Sequence, residues 1–277
     1  MYYRLFRWFP KSAFSRLMGV LAGIAWPGPV LRVVIALYVR AYRIDMSVFV
    51  EPAGGFRTFN AFFTRGLRPG ARPMDAAAQA IVSPVDGTVI EAGRIEAGRL
   101  LQAKGRDFSL RELLGDDPAW AAFDGGAFLS LYLSPRDYHR IHTPCAGRVT
   151  RFRHVPGELW TVSPAGVQGV PDLFARNERL ITFMDTALGE LAVIKVGATV
   201  VGKIRVVYHE VTSNRPGAGL LACTLPQPVA LDKGAELGRF ELGSTVILLL
   251  PPGAARLEPL RSGDPVRMGQ TVAKAGA

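Results

Sequence analysis

The first 44 residues contain no aspartate and no glutamate. The absence is local, because the 277-residue chain carries 23 acidic against 33 basic side chains, a net charge of +10. Cysteine is nearly missing. Cys145 and Cys223 stand far apart, which excludes a disulfide framework and a cysteine zinc cluster and makes a reducing compartment the default. Histidine is scarce, with four in the chain. A spanning helix needs roughly 20 apolar residues. The longest uncharged stretch of the first 44 residues, Leu17 to Leu31, has 15 and is broken by Pro27 and Pro29. There is no P-loop, no dinucleotide fingerprint and no nucleophile elbow, so the usual nucleotide and ester-hydrolase readings find no support.

What fills the acid-free segment is basic and apolar. Arg4, Arg7, Lys11, Arg16, Arg32, Arg40 and Arg43 alternate with Tyr2, Tyr3, Phe6, Trp8, Phe9, Phe14, Trp26 and many aliphatics. Three readings fit: a cleaved targeting peptide, a helical subdomain packed on the core, or two or three short helices lying in a headgroup layer. The last matches the pattern best, with guanidinium groups at lipid phosphates and aromatic rings at the acyl boundary. Nucleic acid is not the expected partner, because the positive charge concentrates at the hydrophobic end and no recognition motif accompanies it.

Residues 45 to 80 read as a bridge, with Thr58 as the N-cap of a short helix. From residue 81 the pattern turns to strands. Ile81 to Ile90 reads as strand, turn, strand about Asp86-Gly87. Ala127–Leu133, Leu191–Gly197, Thr199–Val201 and Ile204–Tyr208 read as further strands, and Phe108–Phe123 as a helical excursion. The spacing x-Pro-x-x-Gly-x-Val recurs at 83–89 and 143–149, and 262–273 has the glycine-punctuated short strands of a lipoyl-type barrel sandwich. The expected class is α+β: a β-rich core of short antiparallel strands with lipoyl-like barrel-sandwich elements, behind an N-terminal helical membrane-associating region. The division expected is 1–60 for that region and 61–277 for the β-rich domain.

Two stretches carry chemistry. Arg136-Asp-Tyr-His-Arg-Ile-His-Thr-Pro144 holds His139 and His142, three apart among charged neighbours. A metal pair, two solvated loop histidines and a catalytic loop all fit the spacing; no third ligand is suggested, so no metal is expected. His154 and His209 read as surface or strand residues. The second stretch is Phe240-Glu-Leu-Gly-Ser-Thr-Val-Ile-Leu-Leu-Leu250. Gly243 can hold a strained backbone, and Ser244 places a hydroxyl beside its carbonyl at the mouth of a buried strand.

Asp86 in Ser-Pro-Val-Asp-Gly, His142 in Leu-Ser-Pro-Arg-Asp-Tyr-His-Arg-Ile-His-Thr-Pro and Ser244 in Leu-Gly-Ser-Thr stand beside Gln102-Ala-Lys-Gly105, Leu173 to Arg179 and Val196-Gly-Ala-Thr199. Together they closely resemble the bacterial phosphatidylserine decarboxylase proenzymes, over nearly the whole chain. The resemblance implies decarboxylation of phosphatidylserine to phosphatidylethanolamine and carbon dioxide, in phospholipid biosynthesis. It implies a covalent pyruvoyl group made from Ser244, which forms a Schiff base with the substrate amine. It further implies a maturation triad in which Asp86 orients His142 and His142 takes the proton of Ser244. Cleavage between Gly243 and Ser244 would leave a large β chain, 1–243, and a small α chain, 244–277. His139 is implied as the proton donor in decarboxylation. The implied partners are phosphatidylserine in the bilayer, an anionic membrane surface, the paired α and β chains and a homodimer. The implied place is peripheral, on the cytoplasmic face of the bacterial cell membrane. Two rivals remain open: a non-enzymatic lipoyl-like module on a membrane anchor, and a self-processing decarboxylase of a soluble amino acid.

Overall fold

The computed structural model describes residues 8–103, 106–200, 203–241 and 244–276. Two helices open it, α1 (Lys11–Gly23), which ends at the extended Ile24, and α2 (Gly28–Tyr42), which starts after Pro27. The short α3 (Phe59–Phe63) is capped as expected: the Thr58 hydroxyl accepts from the Ala61 amide at 3.0 Å. The Phe108–Phe123 excursion divides into α4 (Leu110–Leu113) and α5 (Trp120–Phe123), and α6 (Pro164–Gly169) and α7 (Leu173–Arg176) come later.

The strands are β1 (Ala80–Val82), β2 (Gly87–Arg94), β3 (Arg99–Ala103), β4 (Arg106–Ser109), β5 (Ala127–Leu133), β6 (Arg140–His142), β7 (Gly147–Val155) and β8 (Arg179–Thr186). Then come β9 (Gly189–Val196), β10 (Lys203–Val206), β11 (Leu221–Leu231), β12 (Glu236–Glu241), β13 (Ser244–Leu250), β14 (Ala255–Leu257), β15 (Pro265–Val266) and β16 (Thr271–Ala275). Eight form one antiparallel sheet in the order β11-β7-β8-β9-β13-β5-β2-β15. Two three-stranded sheets, β1-β16-β14 and β10-β12-β6, pack on it. The α+β class and the antiparallel core are as expected, and no sheet closes into a barrel among the described residues.

β13 is buried throughout and apolar from Val246 onward, because both faces of its sheet are covered. Val246, Leu248 and Leu250 face a core shared with Ile81, Ile141, Leu237, Phe240 and Val272 of the smaller sheets. Ile247 and Leu249 face a second core under the helical excursion, with Leu110, Phe123, Trp160 and Phe174. Asp86-Gly87 is not a hairpin turn, because β1 and β2 belong to different sheets. It is a corner where the chain passes between them, and a Cβ on Gly87 would sit 2.5 Å from the Tyr132 carbonyl oxygen. Thr199 and Val200 form a turn after β9 rather than a strand, and Val201 lies outside the described residues.

Candidate active site

Three connections between the large sheet and the small ones converge. The chain passes from β1 to β2 through Ser83–Asp86, from β5 to β6 through Ser134–His139, and from β12 to β13 through residues 242 and 243. The first two are tied by the His142 amide, which donates to the Pro84 carbonyl at 2.8 Å. The last two are tied by the Phe240 amide, which donates to the His139 carbonyl at 3.0 Å. Ser244 pairs with Leu133, so the serine at the head of β13 lies beside the start of the histidine-bearing segment. Gly243, and with it the bond expected to break, lies outside the described residues, as do Lys104, Gly105, Arg4 and Arg7.

Ser244 is fully buried, and its hydroxyl has no hydrogen-bond partner among the described residues. It lies in the wall of a cavity of about 540 Å³ built from α1, α2 and the strand ends. Leu21, Trp26, Val34, Tyr38, Phe63 and Tyr132 are among its apolar and aromatic walls, and no charged side chain among the described residues lines it. A buried hydroxyl without a partner is costly, and such exceptions mark sites where the group has another task.

His139 is fully buried against the Phe63 ring, with centroids 4.1 Å apart. Its Nδ1–H donates to the Asp137 carbonyl at 2.8 Å, which leaves Nε2 as the bare acceptor nitrogen. Burial pushes this imidazole down to a pKa of about 3, outweighing the carbonyl contact that favours the cation. Its resting form is therefore neutral. His142 is engaged at both nitrogens: Nδ1–H donates to the Gly234 carbonyl at 2.8 Å, and the Tyr138 hydroxyl donates to Nε2 at 3.0 Å. Burial lowers its pKa as well.

Asp86 is clamped elsewhere. Arg72 reaches both its oxygens, the closest contact being 2.6 Å, and the Met268 amide donates to Oδ1 at 2.9 Å. Asp86, His142 and Ser244 thus come to one junction, and no hydrogen bond joins any two of them among the described residues. His139 and Ser244 are the two that keep an unoccupied, buried polar atom.

Several partners escape a reading of the sequence. Arg72 stands in a segment that looks like linker, and Tyr138 reads as one more aromatic. Lys195 carried a signal: it interrupts the apolar run Leu191–Val196. It is fully buried, and its amine donates to the Thr182 hydroxyl and to the Val193 carbonyl. Burial holds that amine well below the lysine range. Lys195 pairs with Val246, so it shares the sheet face of Ser244. The motif residues Gln102 and Asn177 are structural. Gln102 bonds the 167, 170 and 173 backbone, and Asn177 spans Trp160 and Gly197. His154 is a strand residue as expected, but it is buried, with Nε2 2.8 Å from Glu178. No cluster of histidine, cysteine and carboxylate suited to a metal occurs among the described residues.

The chain is similar to known proteins over nearly its whole length. Residues 59–274 match the family model described as phosphatidylserine decarboxylase. The chain is 49% identical over 267 residues to the phosphatidylserine decarboxylase proenzyme of Anaeromyxobacter sp. (strain K), covering 95% of this chain and 94% of that one. It is 44% identical over 270 residues to the protein of the same description from Myxococcus xanthus (strain DK1622), covering 97% and 96%. For that of Acidovorax ebreus (strain TPSY) the figures are 46% over 268 residues, 95% and 94%.

Proposed function

Because this chain belongs to the phosphatidylserine decarboxylase family, we propose that its site is generated from its own backbone at Ser244. The reaction is the decarboxylation of phosphatidylserine, and the chain is made as a proenzyme. The observation that carries the assignment is the Ser244 hydroxyl, buried at the cavity wall without a partner at the head of β13.

In maturation the Ser244 oxygen attacks the carbonyl carbon of Gly243, and the peptide bond becomes an ester. Removal of the serine α-proton expels the Gly243 carboxylate from Cβ, cutting the chain and leaving a dehydroalanine at 244. Water then replaces its nitrogen, releasing ammonia and leaving a pyruvoyl group. A wall that is largely apolar, with no lysine or acid among the described residues, suits such a carbonyl. Once formed, the group supplies a ketone that takes up the substrate amine and draws electrons from the bond to the departing carboxylate.

In this reading His142 is the base for Ser244 and Asp86 supports it. For His142 to act, Nε2 must exchange the Tyr138 hydroxyl for that of Ser244. A second reading is favoured by one observation: His139 Nε2 and the Ser244 hydroxyl are both buried and free of partners, whereas His142 has both nitrogens occupied. His139 would then serve maturation as well as turnover. In turnover His139 Nε2 serves as the proton donor to Cα after carbon dioxide leaves, once the anionic substrate beside it favours the imidazolium.

The lipid substrate gives the N-terminal helices a purpose. Leu17, Val20, Val33 and Leu37 expose apolar surface on α1 and α2, and no helix among the described residues is long and apolar enough to cross a membrane. These faces lie in the membrane surface, with Arg16, Arg32, Arg40 and Arg43 toward lipid phosphates. The division at residue 60 and a peripheral seat on the cytoplasmic face belong to the same reading.

An intact-mass measurement tests the assignment. Two fragments that meet at 243/244, the smaller trapped by cyanoborohydride with phosphatidylserine, are expected. A single uncut mass from a preparation that releases carbon dioxide from the lipid would sink it.

A further inference from the structure

The proposed substrate brings two anions into the protein, a carboxylate and a phosphodiester. Among the described residues the cavity beside Ser244 offers neither a cation. Moving a phosphodiester out of water without one is costly. A second cavity, of about 520 Å³, lies on the other side of α1 and holds the missing charge. Arg16, Lys203 and Arg215 line it, with Asn60 and Glu241. Glu241 is already neutralised by Arg205 at 2.6 Å and Lys203 at 3.5 Å. Arg16 and Arg215 have no carboxylate partner among the described residues, so the lining carries an excess of positive charge. Asn60 Oδ1 is buried without a hydrogen-bond partner, and the same amide turned over presents N–H donors to an anion.

The two cavities meet. Ala22 and Val200 line both. Val200 is held at that seam by a contact far apart in sequence: its N–H donates to the buried Ser15 hydroxyl of α1 at 2.9 Å. Its φ is +74°, a conformation a β-branched residue adopts only when its surroundings impose it.

We propose that Arg16, Lys203 and Arg215 form the subsite for the phosphodiester of the lipid substrate, across the Ala22–Val200 seam from Ser244. The proposal rests on Ser244 as the reacting residue. It makes the phosphodiester a specificity element: serine carried on a phosphodiester is held far more tightly than free serine, which reaches residue 244 only at high concentration.

The test uses the processed full-length enzyme and monomeric dihexanoyl phosphatidylserine, which removes membrane binding from the measurement. An Arg16→Gln/Arg215→Gln variant should raise KM about 10- to 100-fold, the worth of charge-assisted hydrogen bonds to one anion, with kcat little changed. Arg16→Lys should restore part of the loss. Free serine, trapped at residue 244 with cyanoborohydride, should react equally in wild type and variants, because it brings no phosphate. Glycerophosphoserine should compete at concentrations where inorganic phosphate does not. Unchanged KM overturns the subsite, as does an equal loss of serine trapping, which would place the damage at the reacting end. Stronger competition by inorganic phosphate would make this a free-phosphate site and overturn the substrate assignment. A wild-type enzyme that traps neither amine would remove the Ser244 reading and the subsite with it.

Discussion

The two histidines differ in what they can still accept. His139 has a bare, buried Nε2; His142 has none. His139→Ala should therefore lower decarboxylation by about 10²- to 10⁴-fold, the usual range for a lost general acid–base group. Cleavage into two chains on a denaturing gel separates the readings. Persistence in His139→Ala and loss in His142→Ala supports His142 as the maturation base, and the reverse moves that role to His139. The depressed pKa also fixes a pH dependence. The unfolded imidazole binds its proton near pH 6.5 and the folded one only near 3, so the unfolded state holds more protons between those values. The stability of neutral His139 is complete above pH 6.5 and falls as pH drops toward 3. Denaturant midpoints should decline over that window, and less steeply in His139→Gln. The family resemblance singles out Asp86, His139, His142 and Ser244, and the fold brings them to one junction. The resemblance left their contacts illegible, because Arg72 is 14 residues from Asp86 and Gly234 is 92 from His142. A contact across sheets leaves no period in the chain.

At the scale of elements, periodicity gave the strands and missed how they join. Ala127–Leu133 emerged residue for residue, since its apolar run is bounded by Gly126 and Pro135. Asp86-Gly87 has the composition of a hairpin turn, yet β2 pairs with β5 and β15 while β1 pairs with β16. Alternation cannot report which sheet a strand will join. The corner depends instead on Arg72 and Asp86, whose side chains are 7% and 8% exposed. Arg72→Met would leave a buried carboxylate unpaired and should cost about 3–5 kcal/mol in a urea titration. A cleavage defect in that variant would then be read against its lost stability, which Arg72→Lys should largely restore. The joint between α1 and the β9 turn makes a parallel case. Ser15→Ala leaves the half-buried Val200 N–H without its partner and should cost about 1 kcal/mol.

Over the whole molecule, charge and topology answer different questions. The acid-free N-terminus is expected to seek a surface, because its basic side chains stand beside apolar ones that α1 and α2 leave exposed. Each basic residue near an anionic surface is worth about 1 kcal/mol. Deleting residues 1 to 44 should accordingly release the protein from sedimenting liposomes of anionic lipid. Retention of binding would count against the membrane seat. Topology decides the fate of the two fragments once the chain is cut at 243/244. The carboxy-terminal fragment begins with β13, which lies inside the eight-stranded sheet between β9 and β5 and is buried along its whole length. The same fragment supplies β16, hydrogen-bonded between β1 and β14, and β15, paired to β2. Its partners β1, β2, β5 and β9 all belong to the other fragment. Cutting one connection at the junction of the sheets removes no strand pairing, so the fragments should stay together through the apolar cores they share. One peak of the full mass is expected on native size exclusion, and two masses after denaturation. Separation of the small fragment without denaturant would show that the connection, rather than the packing around β13, holds the mature sheet together.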